Sequence, residues 1–125
     1  MKNIIISELD NSFVSFKSAI GSGIAVWAGK KPLLDSYQEI ELDIDDHFEW
    51  GNNINLIGEN RTSIIFSDDK LIFEAKIIAC EDDGVLTVSL DGDIIFIEVS
   101  GENVASGYVS FVTTPDKVTL YPTDL

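Results

Sequence analysis

Residues 39–50 read EIELDIDDHFEW and gather Glu39, Glu41, Asp43, Asp45, Asp46 and Glu49 around a single histidine, His47. Three chemistries draw on such a set. Oxygen ligands at alternate positions suit Ca²⁺ or Mg²⁺, and a histidine beside carboxylates suits a transition metal. A pair of carboxylates can serve as acid and base. A row of uncompensated carboxylates can steer and hold a basic macromolecule.

The first two do poorly on spacing. Asp43 and Asp45 fit the opening ligand positions of an EF-hand loop, but His47 takes the third and Phe48 stands where the turn glycine belongs. His47 is the only histidine and Cys80 the only thiol, so a closed zinc site lacks its usual ligands. No metal or cofactor is expected. With 22 carboxylates in the chain some pair is always at hand, so carboxylate pairing carries no weight as a catalytic signal. There is no G-x-S-x-G, no P-loop and no dinucleotide fingerprint. Gly21-Ser22-Gly23 reads as a turn without a following helix to cradle phosphate. Cys80 ends an apolar run and reads as a small buried residue. The chain is read as non-enzymatic.

The third chemistry fits the charge of the whole chain. Eight basic and 22 acidic residues give a net charge of −14, which repels nucleic acid and anionic membrane. The signs are segregated as well. Seven carboxylates lie between Glu39 and Asn60 and eight between Ile77 and Asp116, with no Lys or Arg before Arg61 in the first stretch and none in the second. A surface built for solubility alone mixes both signs.

The elements that must position these groups are strands. The chain of 125 residues, 45% apolar, is expected to form a single β domain spanning 1–125. Ile40, Leu42 and Ile44 alternate with Glu39, Glu41 and Asp43, which predicts a half-buried strand with the acids outside. Outward carboxylates two residues apart stand about 6.5–7 Å from one another, comparable to successive phosphates on a nucleic-acid strand. Residues 45–53 read as a long loop, and 30–38 leave room for a short helix. Further on, Asp68-Asp69, Asp82-Asp83-Gly84 and Asp91-Gly92 separate apolar runs as hairpin turns. Trp27, among Ile24 and Val26, reads as core. These strands and turns predict an all-β, mostly antiparallel meander forming a sandwich or partly closed barrel. In KLIFEAKIIAC and IIFIEVS apolar residues fall on both faces, with Ile94 and Phe96 opposite Ile95, Ile97 and Val99. Such strands need cover on both sides, from the sandwich itself, a partner protein or a second copy.

With one cysteine, no long apolar segment and only a three-residue isoleucine run near the N-terminus, the chain is expected in the cytoplasm. In general build, carried by EIELDIDDHFEWGNN and CEDDGVLTVSLDGDIIFIEVSGE, it resembles the small acidic immunity proteins of bacterial toxin systems, especially contact-dependent growth inhibition. That resemblance implies binding to a cognate basic toxin domain, often a nuclease, whose active site or substrate path it blocks. By position, Glu39, Glu41, Asp43, Asp45, Asp46 and Glu49 would be the charged contacts, with Phe48 and Trp50 as apolar anchors. Two other classes stand beside it: a small-ligand or carbohydrate-binding β module on exposed aromatics, and a structural subunit whose doubly apolar strands pair with copies of itself. Weak self-association is a further expectation, and association that rises with concentration in isolation would favour the structural subunit.

Overall fold

The structure, a computed structural model, describes residues 1–123. Its strands are β1 (Ile4–Asp10), β2 (Phe13–Ser18), β3 (Gly21–Trp27), β4 (Tyr37–Gln38), β5 (Ile40–Ile44), β6 (His47–Glu49), β7 (Ile54–Ile57), β8 (Ser63–Ser67), β9 (Lys70–Cys80), β10 (Val85–Leu90), β11 (Asp93–Ser100), β12 (Tyr108–Thr113) and β13 (Val118–Pro122). A 3₁₀ turn at Pro115–Lys117 precedes β13. The chain is all-β as its alternation predicts. The segment 30–38 is not helix: it is loop up to residue 36 and then β4.

Two antiparallel meanders carry the architecture. One is β1–β2–β3 and the other β8–β9–β10–β11, and they join where Gly21 of β3 meets Ile64 of β8 in parallel. From β3 the first meander extends through β13, parallel to it, and then β5, antiparallel to β13. Strands β12 and β7 extend from β9. Strand β6 pairs in parallel with the end of β11. Antiparallel pairing dominates, but these parallel contacts make the sheet mixed, and it forms an open sandwich, not a closed barrel.

The core is one cluster. Phe73, Leu71 and Ala75 of β9 sit at its centre, with Phe16, Phe48, Phe111, Leu86, Ile97 and Leu120 arriving from six other strands. Phe111 stacks on Phe73 at 5.3 Å and takes Phe48 edge-on at 5.2 Å. Trp27 belongs to this core, as its sequence context predicts.

Two sequence expectations change. Gly21–Gly23 is not a turn: the β2–β3 reversal falls at Ala19–Ile20, and both glycines lie inside β3. Their role is close approach, since a β-carbon on Gly21 would strike the Ile64 carbonyl and one on Gly23 would press on Leu71 and Phe16. Residues 45–53 are not one loop either, because His47, Phe48 and Glu49 pair with Glu98, Val99 and Ser100 as β6. That ladder joins segments some fifty residues apart and leaves no local turn signal to announce it.

Candidate docking surface

Strands β4 and β5 are separated only by Glu39 and act as one bent strand. Its first part pairs with β1 and its second with β13, setting Glu41 beside Tyr121 and Asp43 beside Thr119. Ile40 and Ile44 are buried and Glu41 and Asp43 exposed, as the alternation predicts. The other edge of β5 faces β11. The Cα atoms of the two strands approach within 8 Å, yet no ladder joins them. This seam is closed at one end by Met1, whose amino group donates to the Ile40 carbonyl at 2.5 Å and pairs with the Asp93 carboxylate. At the other end it is closed by β6 docking on β11.

Between those ends the seam lies under an unusual outer surface. Strand β11 sends Ile95, Ile97 and Val99 into the core and Ile94 and Phe96 outward, and Phe96 is 63% and Ile94 52% exposed. The sandwich therefore does not cover both faces of this strand. A shallow groove of about 260 Å³ runs along the seam, lined by Asp43, Asp45, Asp46, Val85, Phe96 and Glu98. The acids of β5 and the bare ring of β11 thus share one depression. Tyr121, also exposed, stands beside Glu41 on the β13 side.

The predicted contact residues divide by parity. The inward set Ile40, Leu42 and Ile44 continues through Asp46, Phe48 and Trp50, each less exposed than its odd-numbered neighbours. The odd positions Glu39, Glu41, Asp43, Asp45, His47 and Glu49 all face solvent. Among the described residues, Glu41, Asp43, Asp45 and Glu49 have no side-chain partner, while Glu39 accepts from the Thr123 hydroxyl at 3.1 Å. Asp46 is committed to the fold: one oxygen accepts from the His47 amide at 2.8 Å and the other from the Thr113 hydroxyl at 2.7 Å.

Phe48 is a correction. It is fully buried against Phe111, because pairing with Val99 turns it into the core, and it cannot anchor a partner. Trp50 is half-buried, held by its amide on the Ser100 carbonyl at 3.1 Å and packed over Gly101. Its indole nitrogen is buried and unpartnered among the described residues. Ile94, Phe96, Glu98 and Tyr121, which sequence reasoning did not place in the site, are the side chains that accompany the acids. The signal that bore on Ile94 and Phe96 was the doubly apolar IIFI run.

Among the described residues Arg61 is the one Lys or Arg side chain in an ion pair, with Glu59 at 2.5 Å and Glu74 at 2.6 Å. None of Glu39, Glu41, Asp43, Asp45, Asp46 and Glu49 is neutralised in this way. The segregation is incomplete in space, however. Lys117 adjoins Asp45 through its carbonyl, which accepts the Asp45 amide at 2.8 Å, and Lys76 lies two strands from Ile94 across Ser89. Both border the surface without pairing its carboxylates. His47 bonds Ser100 at 3.0 Å and stands 3.9 Å from Glu98. No three His, Cys, Asp or Glu among the described residues converge as metal ligands. No helix among them is long and apolar enough to cross a membrane.

A separate cavity of about 460 Å³ lies against Leu9, Asn11, Val14, Trp27, Lys31 and Pro32. Trp27 is only 9% exposed and its N–H already donates to the Lys30 carbonyl at 2.7 Å, so it offers little ring to a ligand. In comparison with known proteins, no family model, no curated protein and no solved structure matches this chain.

Proposed function

We propose that this chain is a non-enzymatic binding inhibitor, an immunity protein that neutralises a basic toxin domain, with a nuclease as the favoured class. The observation that supports it is the outward row Glu41, Asp43 and Asp45, free of ion pairs among the described residues and set beside the exposed Phe96. Uncompensated carboxylates held together repel one another, and a cationic partner relieves that repulsion while the field speeds its approach. A cleft that binds a phosphate chain is basic, and a strand with carboxylates at phosphate-like spacing fits it. The inhibitor then works by occupying the substrate path. Such a protein acts in the cytoplasm of the cell it protects, where the toxin would otherwise reach its substrate.

Two other readings have less support. A carbohydrate-binding module needs several open aromatic faces around one cavity, whereas Trp27 at the 460 Å³ cavity is nearly covered and Phe96 is the one aromatic lining the seam depressions. A self-associating subunit must bring together copies that each carry −14.

The test uses the basic domain encoded beside this chain in its genome. A stoichiometric amount of the chain is expected to stop that domain degrading plasmid DNA. Protection should weaken about tenfold or more on raising salt to ~0.5 M, and should disappear with Asp43→Lys and Asp45→Lys together. Undiminished digestion in excess wild-type protein, or a neighbourhood with no basic domain, overturns the proposal.

A further inference from the structure

We infer that the contact is centred on Phe96, at the outer face of the seam between β5 and β11, and that it receives an arginine side chain from a basic protein surface. This rests on the inhibitor reading and narrows it to one pocket and one residue type.

A single exposed phenylalanine is unremarkable on a protein surface. Here two successive outward positions of one strand, Ile94 and Phe96, are bare, and Phe96 shares its groove with the carboxylates of Asp43, Asp45 and Glu98. An aromatic face in a groove shared with carboxylates places a cation-attracting π surface inside a negative field, and both act on the same guest.

Geometry limits what that guest can be. An added strand would need about 9.6 Å between its neighbours, twice the ladder spacing. Strands β5 and β11 approach within 8 Å, so no strand fits between them and the guest must lie on the outer face. Phe96 lines two depressions on this seam, one of about 260 Å³ with Asp43, Asp45 and Glu98 and one of about 420 Å³ with Glu41, Leu42 and Ile94, and the smaller, acidic one suits one long side chain. A second copy of the chain is disfavoured. A two-fold contact through this face would set Asp43, Asp45 and Glu98 against themselves.

The choice of arginine over lysine follows from the neighbours. A guanidinium is planar and weakly hydrated, so it can stack on the Phe96 ring while its edge donates to carboxylates at the rim. An ammonium is a compact and strongly hydrated charge, and it loses water on an apolar ring without forming a fork of hydrogen bonds.

The probes are hexa-arginine and hexa-lysine peptides titrated into ¹⁵N-labelled protein, with amide shifts as the readout. Hexa-arginine is expected to move amides at 43–46 and 94–98 and to bind roughly two- to fivefold tighter than hexa-lysine. Phe96→Leu, which keeps apolar area without the ring, should erase that preference, and Phe96→Tyr should retain it. Asp43→Lys with Asp45→Lys should abolish binding of both peptides. Equal affinities in the wild type, or a preference that survives Phe96→Leu, overturn the arginine pocket. If the charge reversal still abolishes binding in that case, the acidic inhibitor surface stands without it. If the charge reversal changes neither peptide's binding, both readings fall.

Discussion

Gly21 of β3 lies against the backbone of Ile64 of β8, so close that a β-carbon on Gly21 would penetrate the Ile64 carbonyl oxygen. The Ile64 amide in turn donates to the Ile20 carbonyl at 2.9 Å. This is the point where the two meanders join, and Gly21 holds φ at +140° there, a region that L side chains rarely enter. Gly21→Ala is therefore expected to cost at least about 3 kcal/mol in urea unfolding. Gly23→Ala, whose obstacles are the movable side chains of Leu71 and Phe16, should cost about 1–2 kcal/mol. Equal midpoints for the two variants would contradict the close approach.

Glu74 is nearly buried in β9 and takes hydrogen bonds from Arg61 and from the Ser63 hydroxyl. The Arg61 guanidinium, helped by Ser63, holds its carboxyl below the usual range against the opposing effect of burial. A folded-state pKa below the unfolded one contributes stability at neutral pH that is lost as pH falls through the folded value. Glu74→Gln should cost about 1–2 kcal/mol at pH 7. The gap between wild type and variant should close as the pH drops below the usual carboxylate range. A gap constant with pH would show that the bonds do not depend on the charge.

Phe48 separates core from contact. Phe48→Leu is expected to lower stability by about 1 kcal/mol, and Phe48→Ala by about 3–5 kcal/mol. Phe48→Leu should leave hexa-arginine binding at its wild-type value, as measured by the same amide shifts. Weakened binding in a folded Phe48→Leu protein would return this ring to the interface.

The β8–β9 turn is built from Asp68 and Asp69, both in the left-handed region at φ 53° and 61°. The β10–β11 turn solves the same problem with Asp91 and Gly92. Asp69→Gly removes the side-chain penalty and one of two adjacent like charges, and should raise stability by about 0.5–1 kcal/mol in thermal or urea unfolding. No gain would mean that the aspartate side chain stabilises this turn locally.

Much of this architecture was legible in alternation and turn chemistry. Ile40, Leu42 and Ile44 declared the inner face of β5, and Asp-Asp and Asp-Gly pairs marked the hairpins on either side of β9 and between β10 and β11. Contacts between distant segments were not legible. Parallel pairing of β13 with β3 and of β6 with β11 leaves no turn between partners, so no local residue type announces it. For the site, the outward acids were readable and so was the second apolar face of β11 with Ile94 and Phe96, but not that the two lie side by side, because Phe96 and Asp43 share a groove only across the seam. Phe48 could have been placed correctly: it carries the even parity of Ile40, Leu42 and Ile44, and the pattern outlasts the two aspartates between them.

Residue-by-residue pairing of β5 with β13 has a consequence for any encounter at this surface. Glu41 and Asp43 hang from a backbone whose dihedral angles were chosen when the protein folded, so a visitor meets a ruled array instead of a swinging arm. Ordering entropy for that backbone is already settled before contact, and what is left to freeze is a few side-chain torsions. Tightness can then come from a small footprint, with discrimination set by how well a visitor's charges match fixed graduations.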